Sequence, residues 1–158
     1  MVAVTENKKE FYQELLAQTE ALIADESDII ANMANISALL FERLNQVNWV
    51  GFYRLIEKEL VLGPFQGKVA CIRIPLAKGV CGTSAATGDI QRISDVHDFD
   101  GHIACDGSTN AEIVLPIKRA GNVFAVLDID STTFNRFDEE DELGLSSIVA
   151  LFELHIAK

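Results

Sequence analysis

Apolar residues recur at steps of three and four near both ends of the chain and at nearly every second position between. This change of period limits the possible folds more than any other feature. Phe11/Tyr12, Leu15/Leu16, Thr19 and Leu22/Ile23 make one helical stripe, and Ile29/Ile30, Met33, Ile36, Leu40 and Leu44 make a second. Asp25-Glu26-Ser27-Asp28 interrupts the two and offers an N-cap. From Trp49 to Leu55 the pattern is that of a strand, and Glu59-Leu60-Val61-Leu62 is expected to pair with it. Gly63-Pro64-Phe65-Gln66-Gly67 has turn chemistry, Cys71 to Pro75 reads as a short strand, and Gly79 to Gly88 as a short helix closed by its glycine. Ile93 to Asn110 keeps no period and is expected to be a long loop, a kind of segment that is commonly functional in a compact domain. Ile113–Ile117 and Val123–Asp130 follow as strands around an Ala120-Gly121-Asn122 turn. The last helix opens on Asp138-Glu139-Glu140-Asp141-Glu142, where the macrodipole favours negative charge, and buries Leu145, Ile148/Val149, Phe152 and Ile156. The order implies an α+β fold: a mainly antiparallel sheet with helices packed on one face. With 158 residues, one domain spanning residues 1–158 is expected.

The net charge of −11 disfavours nucleic acid and anionic membranes as partners. Residues 1–10 lack the basic-then-apolar order of an export signal, and no apolar run approaches the ~18 residues of a membrane span. A cytoplasmic location is therefore expected. There, the odd count of three cysteines, Cys71, Cys81 and Cys105, argues for free or redox-active thiols rather than a disulfide framework.

Four features need an explanation beyond folding. In Val126-Leu127-Asp128-Ile129-Asp130 the two aspartates share one strand face at roughly 6–7 Å, either on a wet outer face or in a built polar site. Glu112, at the start of Ile113-Val114-Leu115, poses the same choice between a solvated strand end and a site. Trp49 and Tyr53 share a face with only Gly51 between them, which suits aromatic core packing or a notch left for a pocket. Cys105 stands in the irregular loop and is the best placed of the three thiols for reactivity, whereas Cys71 on a strand and Cys81 on a short helix could fill core space. His97 and His102 add zinc-ligand atoms, but the paired spacings of structural zinc sites are absent, so no metal is expected. His155, in the last helix, reads as a surface or packing residue.

These segments together resemble the free methionine-R-sulfoxide reductases, a family of stand-alone GAF domains. The resemblance runs through Trp49-Val50-Gly51-Phe52-Tyr53, Leu62-Gly63-Pro64-Phe65-Gln66-Gly67, Gly79-Val80-Cys81-Gly82-Thr83, Gly101-His102-Ile103-Ala104-Cys105-Asp106, Glu112-Ile113-Val114-Leu115-Pro116 and Leu127-Asp128-Ile129-Asp130-Ser131. It also includes cysteines separated by nine and then twenty-three residues. Ala111 and Ala125 depart from the serine and glycine common in the family.

The resemblance implies a GAF-like sheet with the active-site loop over the face opposite the helices. It implies Cys105 as the nucleophile on the sulfoxide sulfur, Cys71 as the thiol that closes a disulfide with it, and Cys81 as an alternative or relay thiol. Glu112, Asp128 and Asp130 would share a proton for the sulfoxide oxygen and hold the substrate ammonium. Trp49 and Tyr53 would wall the S-methyl group. Free methionine sulfoxide would be the substrate and thioredoxin the source of electrons, with no bound cofactor. Two other functions fit a GAF domain: a non-catalytic small-molecule sensor, and a thiol sensor that oxidises reversibly without turnover. The terminal helices suit either a homodimer interface or the closure of one core.

Overall fold

The computed structural model describes residues 7–103 and 105–157. The N-terminal residues read above for an export signal fall outside this range through residue 6, as does Ala104 of the loop motif. The element order is α1 (Lys8–Ile23), α2 (Ile29–Arg43), β1 (Trp49–Ile56), β2 (Glu59–Gly67), β3 (Arg73–Pro75), α3 (Gly79–Thr87), β4 (Gln91–Ile93), a single 3-10 turn (Val96–Asp98), β5 (Ala111–Arg119), β6 (Asn122–Ser131) and α4 (Glu139–Ile156). The strands form one sheet in the order β3-β2-β1-β6-β5-β4. Every adjacent pair is antiparallel.

Local chemistry sets the helix ends. Asn7 and Asp28 accept the N–H groups of Glu10 and Ala31, which would otherwise be unpaired in the first turns of α1 and α2. Asp138 caps α4 in a reciprocal box with Asp141. Gly88 ends α3 in the left-handed region at φ 74°.

Strand alternation then divides the interior into two cores. Val50 and Phe52, Ile113, Leu115 and Ile117, and Ala125, Leu127 and Ile129 face α1, α2 and α4. Trp49 and Tyr53, Val114 and Val126 face the other way, where Val80, Cys81 and Ala85 of α3 cover them. The α+β expectation holds, with one addition: α3 lies with the loop on the second face. Ala111 and Ala125 are fully buried in the helical core, away from that face.

Three local expectations are corrected. Gly63–Gly67 is the end of β2 rather than a turn. Gly51 pairs with Phe65 and Tyr53 with Leu62, so Phe52 stands opposite a bulge that accommodates Pro64. Cys71 precedes β3 in irregular chain, because the strand begins only at Arg73. Ile93, read as the first residue of the long loop, instead ends the edge strand Gln91–Ile93 against β5, which has too few residues to show a period.

No described helix is long and apolar enough to cross a membrane.

Candidate active site

The register of the central strands assembles the site. Asp130 of β6 lies between Trp49 and Glu112, and Asp128 between Gly51 and Val114. All of these residues occupy positions of the face that α3 covers. Asp128 and Glu112 are only 5% and 6% exposed, so the solvated-face reading fails for both. Asp130 is half-buried as a residue. Its Oδ1, like Oδ1 of Asp128, is shielded from solvent and meets no hydrogen-bond donor among the described residues. Cys81 Sγ stands 3.8 Å from Glu112 Oε2, oriented to donate its proton. His102 Nε2 lies 3.9 Å from Glu112 Oε1.

Crowding these acids together holds protons on them. Burial first, and the Asp130 charge second, pushes the Glu112 carboxyl well above the ordinary carboxylate range. Burial and then the Glu112 charge act likewise on Asp128, and burial and then the Asp128 charge on Asp130. The Cys81 thiol is raised by burial and by Asp128 and Glu112, which keeps it protonated near neutral pH. Burial lowers the pKa of His102 and favours its neutral imidazole. The cluster therefore titrates as a unit and retains protons where isolated carboxyls have lost them.

This has a consequence for stability. A carboxyl whose pKa is higher in the folded state stabilises the fold fully below its unfolded pKa, and that contribution is lost as pH rises through the folded pKa. Each unit of elevation is worth ~1.4 kcal/mol. Asp128→Asn removes one such group and is expected to raise Tm at pH 8 by ~3 °C or more, with the gain fading towards pH 4. Calorimetry across that range checks the sign. A variant destabilised at pH 8 would contradict the assignment.

The aromatic pair is more tightly used than its spacing suggests. Trp49 and Tyr53 stack with centroids 5.8 Å apart, and Trp49 also stacks on Phe65 at 5.2 Å. A Cβ at Gly51 would overlap Phe65 and stand 2.7 Å from Trp49 Cη2; one at Gly67, where φ is +132°, would stand 2.6 Å from Trp49 Cδ1. The notch expected at Gly51 is thus filled by the indole, and both glycines let Trp49 lie flat across the strands. Trp49 Nε1 donates to the Lys68 carbonyl at 3.1 Å, and Tyr53 Oη to the Cys71 carbonyl at 3.0 Å. Both rings therefore pin the segment that carries Cys71.

The opposite wall is the long loop. Asp106 Oδ1 accepts from the Ser108 backbone N–H at 2.9 Å and hydroxyl at 2.6 Å, which lowers its pKa, while Asn48 Nδ2 donates to Asp106 and to Thr109, each at 3.1 Å. These bonds hold the chain just after Cys105. Cys105 and Cys71 are joined in a disulfide, with Cα atoms 5.5 Å apart. The disulfide cysteines were the loop thiol and the one assigned to a strand, while Cys81 is free and buried.

Between these walls lies a narrow cleft. Trp49, Tyr53, Cys81, Cys105, Glu112, Asp128 and Asp130 all line it. Cys71 holds its place through the disulfide. His102 and Lys78 line the cleft too. In the sequence His102 stands out only as a zinc-ligand atom and within the Gly101–Asp106 motif, and Lys78 carries no signal, since neither lies on a periodic element. His97 pairs with Asp95 at 2.7 Å instead, and His155 reaches the Glu26 carbonyl at 2.5 Å. Cys81, Glu112 and Asp128 bring three polar atoms within 4.8 Å of one another, and the upward pKa shifts favour shared protons there.

An oxidisable cysteine pair at the mouth of an acid-floored, aromatic-walled cleft is equipped for thiol redox chemistry on a small polar molecule. Comparison with known proteins gives the same direction. The GAF domain family matches residues 31–157. The chain is 56% identical to the free methionine-R-sulfoxide reductase of Escherichia coli K12, across 96% of its own length and 92% of that protein. The Neisseria meningitidis free methionine-R-sulfoxide reductase, solved in complex with its substrate, superposes with a TM-score of 0.92 at 40% identity, over 99% of this chain and 93% of that one. The fRMsr of Staphylococcus aureus, also solved with substrate, gives 0.90 at 45% identity, over 99% and 100%. The chain belongs to the free methionine-R-sulfoxide reductase family of GAF-domain oxidoreductases.

Proposed function

We propose that the protein reduces free methionine-R-sulfoxide to methionine, with Cys105 as nucleophile, Cys71 as resolving thiol and thioredoxin as the source of electrons. The observation that carries this reading is the Cys71–Cys105 disulfide at a cleft whose floor is the Glu112, Asp128 and Asp130 cluster.

A sulfoxide is a poor electrophile until its oxygen is protonated or strongly hydrogen-bonded. A carboxyl that keeps its proton near neutral pH is a suitable donor, and a neighbour that has lost its proton can hold the substrate ammonium. Cys105 then attacks the sulfur. The sulfoxide is reduced by two electrons, methionine leaves, and Cys105 is left as a sulfenic acid. Cys71 attacks Cys105 Sγ, the sulfenic oxygen leaves as water, and the disulfide forms. Cys81, raised in pKa and directed at Glu112, is better suited to passing or holding a proton than to supplying a thiolate. All redox changes fall on sulfur, so the reaction needs no resident cofactor.

Trp49 and Tyr53 would flank the S-methyl end of the substrate and select between epimers. The cleft is bounded by the sheet, α3 and the Cys105 loop, which suits a free amino acid better than a residue within a chain.

Incubation with racemic methionine sulfoxide, thioredoxin, its reductase and NADPH tests the reading. The R epimer should disappear and the S epimer persist. Consumption of both, or oxidation of the cysteines without methionine release, would contradict it. Asp128→Asn, which keeps the shape but loses the transferable proton, should lower kcat by ~10²-fold or more.

A further inference from the structure

The segment bearing Cys71 departs from the rest of the surface in two ways. Val69 is 90% exposed and Ile72 68%, so branched apolar side chains stand in water on both sides of the cysteine. Single exposed apolar residues are ordinary, but here two flank the disulfide, Val69 at the rim of the cleft that it lines and Ile72 outside the cleft. The charge is also reversed. Between Leu60 and Gly88 the chain has no Asp or Glu, yet it carries Lys68, Arg73 and Lys78, in a protein of net charge −11. All three cations are exposed; Arg73 is paired to Glu59 at 2.7 Å, and the Lys68 charge acts on Asp106 beside Cys105. Cys105 is exposed as well, while Cys71 is half-buried with its carbonyl held by Tyr53.

We propose that Val69 and Ile72, set among Lys68 and its neighbouring cations, form the docking surface for a protein dithiol reductant. The fitting partner has an apolar rim around its reactive thiol and acidic groups beyond that rim. This rests on the disulfide being a catalytic intermediate, as in the function proposed above. A small thiol needs no such surface, whereas a protein must bury its rim against something. Basic residues here also offset the repulsion that the acidic remainder of the molecule exerts on an acidic partner.

The exchange balances in two steps. The partner's thiolate attacks exposed Cys105 Sγ and forms a mixed disulfide. The Cys71–Cys105 bond breaks, and its electron pair leaves on Cys71 Sγ, which takes a proton. The partner's second thiol attacks its own sulfur in the mixed disulfide and releases Cys105 as a thiol. Two electrons pass to the protein, and the partner departs as a disulfide.

The test compares two reductants on the preformed disulfide, thioredoxin as the protein probe and dithiothreitol as the small one. For Val69→Ser/Ile72→Ser the second-order rate constant with thioredoxin should fall ~10-fold or more, about what one lost apolar contact supplies, while the dithiothreitol rate stays within ~2-fold. Lys68→Glu should slow thioredoxin chiefly at low salt. An equal fall with both reductants would mark a structural role and overturn the proposal, as would an unchanged thioredoxin rate. If the double variant instead converts a dimer to a monomer in sedimentation while thioredoxin reacts as before, the face joins two copies of the chain and the proposal fails. Failure of the functional reading looks different: the wild-type protein then makes no methionine from the sulfoxide even with dithiothreitol, whatever the ratio between reductants.

Discussion

Replacing Cys105 by serine is expected to reduce methionine formation by ~10³-fold or more, to the background of thiol and sulfoxide in solution. The size follows from electron accounting. The sulfoxide sulfur gains two electrons, and a thiol can yield them by becoming a sulfenic acid, whereas a serine hydroxyl has no comparable oxidation state to reach. Binding should survive, because the acid cluster and the aromatic wall lie on the sheet and do not depend on residue 105. The variant should therefore still be protected from thermal unfolding by the substrate while failing to turn it over. Thermal shift and methionine assays on the same sample separate these effects. Turnover within ~10-fold of wild type would remove Cys105 from the mechanism.

The second large effect lies far from the cleft. Asp141, 1% exposed, accepts hydrogen bonds from Tyr12 Oη at 2.7 Å, Lys8 Nζ at 2.6 Å, Arg136 Nη1 at 3.3 Å and the Asp138 N–H at 2.9 Å. The Tyr12 ring lies over Gly144, where a Cβ would overlap it, so this carboxylate fastens α1 to α4 at close range. Asp141→Ala leaves the buried Tyr12 hydroxyl without its acceptor, takes one carboxylate from Lys8 and Arg136, which keep Asp138 and the Asn45 carbonyl as partners, and opens the capping box of α4. A loss of ~3–5 kcal/mol is expected, or a Tm lower by ~6–20 °C. Denaturant unfolding monitored at Trp49 measures it. Because α1 and α4 pack on the face opposite the cleft, activity below the new Tm should be nearly unchanged. A change under ~1 kcal/mol would show that the network contributes little.

Much of this arrangement was legible in the sequence, and the boundary of what was legible has physical causes. Helices α1, α2 and α4 announce themselves because burying one stripe of a helix requires apolar residues every three or four positions, and their caps are local. The pairing of Asp128 with Asp130 on one face follows from alternation alone. Whether that face is wet does not, because it depends on α3 and the loop arriving from elsewhere. Glu112 shows the same limit: its strand was read correctly, but its place beside Asp130 is a matter of register. Gly63-Pro64 looked like a turn because glycine and proline chemistry is local, while the bulge opposite Phe52 and the space needed by Trp49 come from neighbouring strands. Cys71 was assigned to a strand that starts two residues later, and its actual anchor is a hydroxyl from β1. For the aromatic pair both readings hold in part: the rings stack and line the cleft, while the space at Gly51 is taken by the six-membered ring of the indole. Asn48 and Asp106, which hold the loop after Cys105, carry no sequence signal beyond being turn-forming residues.

The resemblance supplied the roles, and the structure supplies the proximity those roles require. A nucleophile and a resolving thiol must reach bonding distance, and the disulfide between Cys71 and Cys105 shows that the fold permits it. The proposed chemistry asks the acids to share protons, and burial together with mutual repulsion shifts all three pKa values upward, in that direction.

The most direct measurement takes Cys71→Ser, which can be oxidised but not resolved, through a single encounter with the R sulfoxide in the presence of a sulfenic-acid trap. The account predicts one methionine released per chain and one trapped adduct, located on Cys105 by peptide mass mapping. Methionine released with Cys105 unmodified, or an adduct carried by Cys81 instead, would contradict it.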